Sequence, residues 1–387
     1  FLEAYKSNRL RQEILRKARI EHLVDFANFR VFQAGITTAI VVLAKAPQTP
    51  PELTVRRLKL EGADESAVSA ALLGSAPNAV FDHIHVNQSS LTSDSWNFSS
   101  PALQALYSRI DVNHPKAGDL LFVGQGMQTG RNDVFANLAR ADLKKLGLDE
   151  KWLRKRVANS DIGRYAIRDR GEYLIWVEDA EHFEDLPRKL QTYLQEHAPK
   201  LKARAAYKRR NCEWGKFTWP LHKGLYNQPK IVAPFLSRGN RFALDRSRRF
   251  IGLTDTIVLF KKAETKEDLL YFLALLNSKL LEVRFKGIAK LKGGGIYEYF
   301  WNSVSKLALR RIDFSNPDDK SKHDKLVKLA EQMLDSIPKR DKAKSDAERQ
   351  TLENTIRATD RGIDELVYDL YGVTNEERRL VEGAVGD

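Results

Sequence analysis

Leu10, Ile14 and Leu15 recur at helical spacing within residues 6–19, with basic residues between them, and this predicts an amphipathic surface helix. Two apolar runs follow, Ile20 to Phe29 and Ile36 to Leu43. The second lacks polar alternation and is rich in branched residues, so it predicts a strand buried on both faces of an α/β sheet. A Pro-rich break over 46–51 marks a boundary. Residues 52–115 alternate short strand-like runs with polar loops. His83 and His85 share a strand face there, but no cysteine or carboxylate at metal-ligand spacing joins them. After the apolar run Leu120 to Val123 comes GQGMQTGRNDVF, followed by a helical pattern over 139–160 and a pair of short strands within Gly163 to Val177. A basic amphipathic helix is expected over 182–210, then strands in QPKIVAPFL, NRFALD and FIGLTDTIVLF. Thr265 to Lys286 predicts one continuous helix, capped by Thr265, striped by Leu269, Leu273, Leu276, Leu280 and Val283, and ended by Gly287. The tail predicts an antiparallel helical pair, with Leu326, Leu329, Met333 and Ile337 on one helix and Leu352, Ile356, Ile363, Leu366, Val367 and Leu370 on the other. A capping box of Thr374 and Glu377 opens a short last helix.

Length and composition narrow this picture. A chain of 387 residues holds two or three domains, each able to bury a core. The single cysteine, Cys212, excludes an intramolecular disulfide and a cysteine metal cluster, which favours a cytoplasmic setting, and no apolar run is long enough to span a bilayer. The sequence opens at Phe1 within a helical pattern, so we expect it to be part of a longer polypeptide. The net charge of +13 is concentrated: residues 200–249 hold fourteen Lys or Arg against Glu213 and Asp245. That is the footprint of a protein that meets a polyanion, whereas an even spread would indicate solubility alone. Seven aromatics are interleaved (Tyr207, Trp214, Phe217, Trp219, Tyr226, Phe235 and Phe242), most of them expected in the core beneath the basic residues.

Candidate chemistry is sparse. Gly124, Gly126 and Gly130 fall within seven residues and are followed by Arg131 and Asn132, so the turn could bring backbone amides and the tips of Gln128, Thr129, Arg131 and Asn132 close to a phosphate or a base edge. No Gly-Lys-Ser/Thr follows, so it is not a P-loop, and a plain loop is the simpler alternative. Lys290 and Lys292 stand beside Gly293, Gly294 and Gly295, where close backbone approach to phosphate competes with an ordinary flexible connection. No catalytic triad, calcium loop or metal cluster is legible, and neither Pro317-Asp318 nor Glu264-Thr265-Lys266 has the partner a nuclease centre needs.

Taken together, FRVFQAGITTAIVVLAK, GQGMQTGRNDVF, SDIGRYAI, YNQPKIVAPFLSRGNRFALD, LLYFLALLNSKLLEVRFKG and IDELVYDLYGVTNEE resemble, in order, the carboxy-terminal half of TaqI-like adenine-specific DNA methyltransferases, especially type IIG members fused to restriction endonucleases. The resemblance implies a mixed α/β and α+β chain. Residues 1–46 would end a Rossmann-like methyltransferase sheet, 47–123 connect, 124–314 form a target recognition domain, and 315–387 a helical region. It implies sequence-specific binding of double-stranded DNA, with contacts from Gln128, Thr129, Arg131, Asn132, Lys230, Arg238, Asn240, Arg241, Lys290, Lys292, Gly293 and Gly294. The arginines would meet guanine or phosphate, and Gln128 and Asn132 adenine edges. Asn277 and Ser278 match the family helix in structural roles. The family's Asn/Asp-Pro-Pro-Tyr/Phe motif and its glycine-rich cofactor loop do not occur in this sequence, and Leu307 to Arg311 departs from a position where the family often has proline. The resemblance therefore implies that S-adenosylmethionine and the catalytic residues belong to an upstream methyltransferase half, and that this span binds no cofactor or metal and is inactive alone. The alternatives are a stand-alone specificity subunit and a protein binding single-stranded RNA through its aromatic-rich basic face.

Overall fold

The computed structural model describes residues 2, 7–27, 29–33, 38–45, 52–59, 63–74, 80–93, 96, 98, 101–136, 138, 140–292 and 295–385. Helix Asn8–Lys17 forms where expected, burying Ile14. It leads into a four-stranded sheet of order β2-β1-β3-β4, built from β1 (Arg19–Asp25), β2 (Ala39–Ala44), β3 (Leu53–Leu58) and β4 (Phe81–Val86). β1 runs parallel to β3 with Leu23 opposite Val55, so the strands on either side of the Pro-rich stretch share one sheet. Ile20, Leu23 and Val55 face one small core with Ile14, Trp96 and Phe98, while Val24, Leu58 and Phe81 face a second beneath helix Glu65–Leu72. The run read as a doubly buried strand differs from that expectation. Among the described residues β2 pairs only with β1, at the sheet edge, and Ile40, Val42 and Leu43 stay exposed while Ala39 and Val41 pack inward. Residues 34–37 and the Pro-rich stretch 46–51 lie outside the described residues.

The larger body is organised on a second four-stranded sheet, order β10-β8-β12-β5, with every neighbouring pair antiparallel. Its strands are β5 (Leu121–Gln125), β8 (Lys230–Pro234), β10 (Ala243–Asp245) and β12 (Thr256–Lys261). Strand alternation divides its side chains between two cores. Ile231, Ala233, Ile257 and Leu259 pack against helices Leu269–Asn277, Lys279–Lys286, Pro317–Lys342 and Asp346–Leu370, through residues such as Leu273, Leu280, Leu326, Met333, Ile363 and Val367. Val232, Val258 and Phe260 face the other way, toward Leu190 and Leu194 of helix Arg188–Glu196 and a three-stranded sheet of order β11-β6-β7. That sheet comprises β6 (Leu153–Val157), β7 (Tyr173–Ile175) and β11 (Phe250–Gly252). A further three-stranded sheet, β13-β14-β9, joins β9 (Leu236–Ser237), β13 (Lys290–Lys292) and β14 (Ile296–Glu298).

Several local expectations are revised. The helical pattern over 139–160 is a short helix, Arg140–Leu146, followed by β6, and β7 pairs with β6 rather than with residues 163–168. The basic helix expected over 182–210 is broken into Arg188–Glu196, Ala198–Lys202 and Ala205–Lys208. The helix expected over 265–286 begins at Leu269, capped by Asp268, whose carboxylate accepts from Leu270 N; Thr265 instead donates to Leu120 O. It breaks at Ser278, an extended residue that ends one helix and caps the next. Beside the break, the Asn277 side-chain amide clamps the Phe242 backbone, Oδ1 accepting from Phe242 N at 3.0 Å and Nδ2 donating to Phe242 O at 2.9 Å, which fixes the entry to β10.

The tail forms the expected helical pair, and its Asp360 takes a bidentate pair from Arg164, both contacts at 2.7 Å. One turn along, Asp364 is buried, with Oδ1 accepting from Lys279 N at 2.9 Å. Burial pushes its carboxyl up to about 6, opposed by the Lys279 amide and assisted by Asp360. Between the unfolded value near 3.8 and about 6, the folded protein therefore holds the extra proton, and this group's contribution to stability falls as pH rises through that window. Asp364→Asn keeps the acceptor and removes the buried charge. It is expected to gain about 1–2 kcal/mol over the parent above pH ~6, the advantage vanishing near pH ~4. Paired urea titrations across that range test this, and a pH-independent difference would show that Asp364 is not the titrating group.

Candidate nucleic-acid interface

Register brings two segments to one end of the central sheet. Gln125 of β5 lies opposite Ile257, and Pro234 of β8 lies opposite Thr256, so the glycine turn and residues 235–242 both leave the sheet at that end. The β13-β14 hairpin docks there too, with Tyr297 opposite Ser237 and Glu298 opposite Leu236. The structure thus gathers Gln128, Thr129, Arg131 and Asn132 on one loop, Arg238 and Arg241 on the next, and Lys290 and Lys292 on the hairpin beside them.

The glycines let neighbouring loops approach closely. A Cβ at Gly126 would collide with the carbonyl oxygens of Gly252 and Leu253, and one at Gly124 with the His222 ring. Gly130 adopts φ +76° against Thr218. They let the turn pack tightly onto two neighbouring loops. The same closeness serves Arg204, which lies buried beside the turn. Its five N–H groups reach five backbone carbonyls, those of Thr129, Leu201, Glu213, Trp214 and Lys216, at 2.7–3.2 Å. One guanidinium therefore satisfies its whole donor set while tying the turn to residues 213–218.

That tie presents a pair missed in the sequence. Gln128 and Trp219 exchange two backbone hydrogen bonds of 2.9 Å, which places their side chains next to each other on one side of a narrow antiparallel pair. Trp219 is 48% exposed, unlike the buried Phe217, Tyr226 and Phe242 with which it was grouped. The Gln128 amide has no hydrogen-bond partner among the described residues. An amide and an indole face side by side can read a base edge and stack on an aromatic ring. Only the strand pairing reveals that Trp219 faces outward.

The remaining candidates divide. Thr129 is buried, its hydroxyl donating to Asn132 Oδ1 at 2.6 Å and accepting from Arg131 N, so it shapes the turn. Asn132 is exposed. Arg131 grips Asp133 with contacts of 2.8 and 2.6 Å; this bond raises the arginine pKa and holds the carboxyl down at about 2. Arg238 and Lys290 are exposed without a side-chain partner among the described residues. Arg241 is anchored to Ser237 Oγ at 3.0 Å, burial lowering its pKa, and Lys292 pairs with Glu298 at 3.2 Å. Two candidates are corrected. Lys230 is 0% exposed and bonded to Asp245, also 0% exposed, at 2.6 Å. Asn240 is buried, donating to Leu276 O at 2.7 Å and accepting from Tyr299 Oη at 2.7 Å. Neither can reach a ligand, since each is enclosed with its hydrogen-bonding groups already used. Gly293 and Gly294 lie outside the described residues.

The charge concentration is therefore partly internal. Lys200 pairs with Asp133, Lys216 donates to Val177 O, and Arg246 pairs with Glu331 on the tail. Beneath them Glu178 accepts from Phe217 N at 2.7 Å, burial pushing its pKa up. The His222 ring sits edge-on to Phe122 at 4.6 Å, and burial lowers its pKa. Lys208, Arg209, Arg210, Arg238, Arg248 and Arg249 are exposed with no acidic partner among the described residues.

Comparison with known proteins bears on this surface. A family model described as the TaqI-like C-terminal specificity domain matches residues 157–309. The type II methyltransferase M.HincII of Haemophilus influenzae is 32% identical over 114 residues, 28% of this chain and 22% of that protein. M.HindII of Haemophilus influenzae strain Rd is likewise 32% identical over 114 residues, which cover 28% of this chain and 21% of that protein. The matched segment thus spans about a fifth of these relatives. Among solved structures, the type IIL restriction-modification enzyme MmeI, determined in complex with DNA, superposes over 95% of this chain and 46% of its own with a TM-score of 0.57 at 10% identity, a likeness of fold. The match makes residues 157–309 similar to the TaqI-like C-terminal specificity domain.

Proposed function

We propose that the chain recognises a specific sequence in duplex DNA on behalf of an S-adenosylmethionine-dependent, adenine-specific methyltransferase of a restriction-modification system. The observation that carries this reading is the convergence at one sheet end of the paired Gln128 and Trp219 with Arg131, Arg238 and Lys290, of which Trp219, Arg238 and Lys290 fall within the segment that matches the specificity-domain family. Exposed cations fix the phosphate backbone, while the Gln128 amide suits the donor and acceptor of an adenine edge in the major groove. Arg131, once released from Asp133, offers a bidentate fork to guanine. In the parent enzyme the methyltransferase half holds the cofactor and receives the target adenine rotated out of the duplex. Residues of this span bind, orient and select. Residues 124–314 form the reading unit, and 315–387 brace it.

Selection from a randomised duplex library is the direct test. Gln128→Ala is expected to relax preference at one position by about 1–3 kcal/mol while other positions hold. Uniform weakening on every sequence would instead make Gln128 a backbone contact. Trp219 would also stack on unpaired bases, so a competition between duplex DNA and single-stranded RNA separates the readings: preference for the RNA would displace duplex recognition.

A further inference from the structure

A groove of about 710 Å³ opens between residues 143–155 and the loop joining β10 to β11. Six cationic side chains line it: Lys144, Lys151, Arg154, Lys155, Arg248 and Arg249, with Glu150 the one acid among the lining residues. Lys155 is neutralised by Asp169, and Arg154 pairs with Asp179 at 3.1 Å. The other four have no acidic partner among the described residues. Arg248 adopts φ +60°, a left-handed conformation that glycine or asparagine accepts more readily than arginine. An arginine kept in that conformation, beside a second arginine and over a basic groove, is backbone strain at a place where charge is being presented.

The groove lies away from the reading end. Asp245 is opposite Lys230 at the start of β8, whereas the glycine turn leaves beyond Pro234 at the finish of that strand. Five residues of strand separate the two ends, about 15 Å, or roughly half a turn of B-form DNA. Asp179 links them, taking Arg154 from the groove and lying 3.9 Å from Lys223 of the segment that carries Trp219.

We propose that this groove seats the sugar–phosphate backbone of duplex DNA flanking the sequence being read. The inference rests on the duplex-recognition reading above. It adds a contact that carries no base preference and lengthens the footprint on one side.

The test compares the chain with an Arg248→Asn, Arg249→Gln double variant, in which asparagine suits the left-handed position so that the thermal midpoint is expected to hold. On duplexes of about 30 base pairs, the slope of log affinity against log salt should shrink by about two, one for each lost cation. On duplexes cut back on the groove side to the edge of the recognised sequence, so that they end short of the groove, slope and affinity should barely change. Base preferences should be identical for parent and variant. If the parent binds neither duplex, the recognition reading itself fails. If the parent binds and the variant keeps its slope on the long duplex, or alters base preference, the groove inference alone is overturned. Lys144→Gln with Lys151→Gln, both at exposed positions, supplies an independent pair with the same expected outcome.

Discussion

Arg204→Ala is expected to destabilise the protein by about 3–5 kcal/mol and to abolish recognition of DNA together with it. The substitution takes a donor from five carbonyl oxygens: those of Trp214 and Lys216 are left without one among the described residues, while those of Thr129, Leu201 and Glu213 keep a longer backbone N–H contact of 3.2–3.4 Å. Arg204 is buried, so water does not readily replace the lost donors. The released loop carries Trp214 and leads into Trp219, and indole fluorescence should shift as the loop detaches from the turn. Arg204→Lys is expected to recover little, because one ammonium brings three donors from a single point and cannot span the same carbonyls. A thermal midpoint for the alanine variant within a degree or two of the parent would show that the hub is not what holds the turn.

Lys230→Met should cost a similar amount, about 3–5 kcal/mol, for a different reason. Asp245 Oδ2 accepts from Lys230 Nζ at 2.6 Å and from Phe250 N at 3.1 Å, while Oδ1 accepts from Ser247 Oγ at 2.6 Å. Burial lowers the lysine pKa and the Asp245 carboxylate pulls it back up. Removing the lysine leaves a buried carboxylate with no counter-charge, and adding Asp245→Asn should return much of the loss by removing that charge. A DNA-contacting lysine, the role the sequence suggested, predicts the opposite: unchanged stability and weaker binding. Denaturant titration of the single and double variants decides between them.

The comparison of Lys230 with Arg238 shows what could and could not be read beforehand. Both stand in the same basic segment, and residue type alone makes them equivalent. Lys230 opens β8 and is neutralised by an aspartate fifteen positions later, a pairing that exists only once β8 and β10 lie side by side. Patterning did reveal the apolar strands of the central sheet, the tail helices and the capping box at Thr374, because these depend on neighbours within a few residues. The break at Ser278 escaped notice since the leucine stripe continues unbroken across it. The sequence left two readings open for the three glycines, approach to a ligand and a plain loop; a missing Cβ admits a neighbouring loop as readily as a ligand, and the positions of Gly252, Leu253 and Thr218 show the loops that pack there. The outward-facing Trp219 depended on a two-residue strand pairing with no periodic signature.

The way the tail contributes to the main core limits how this polypeptide can be cut. Leu326, Met333, Ile363 and Val367 fill the same interior as Ile231, Ile257 and Leu273, and Arg164 reaches across to Asp360. A truncation ending near residue 314 would strip the outer side of helices Leu269–Asn277 and Lys279–Lys286 and leave a broad greasy face on the excised fragment, which would then be expected to clump rather than report on sequence preference. Anyone wishing to transplant the reading surface into another enzyme would have to carry the helices with it.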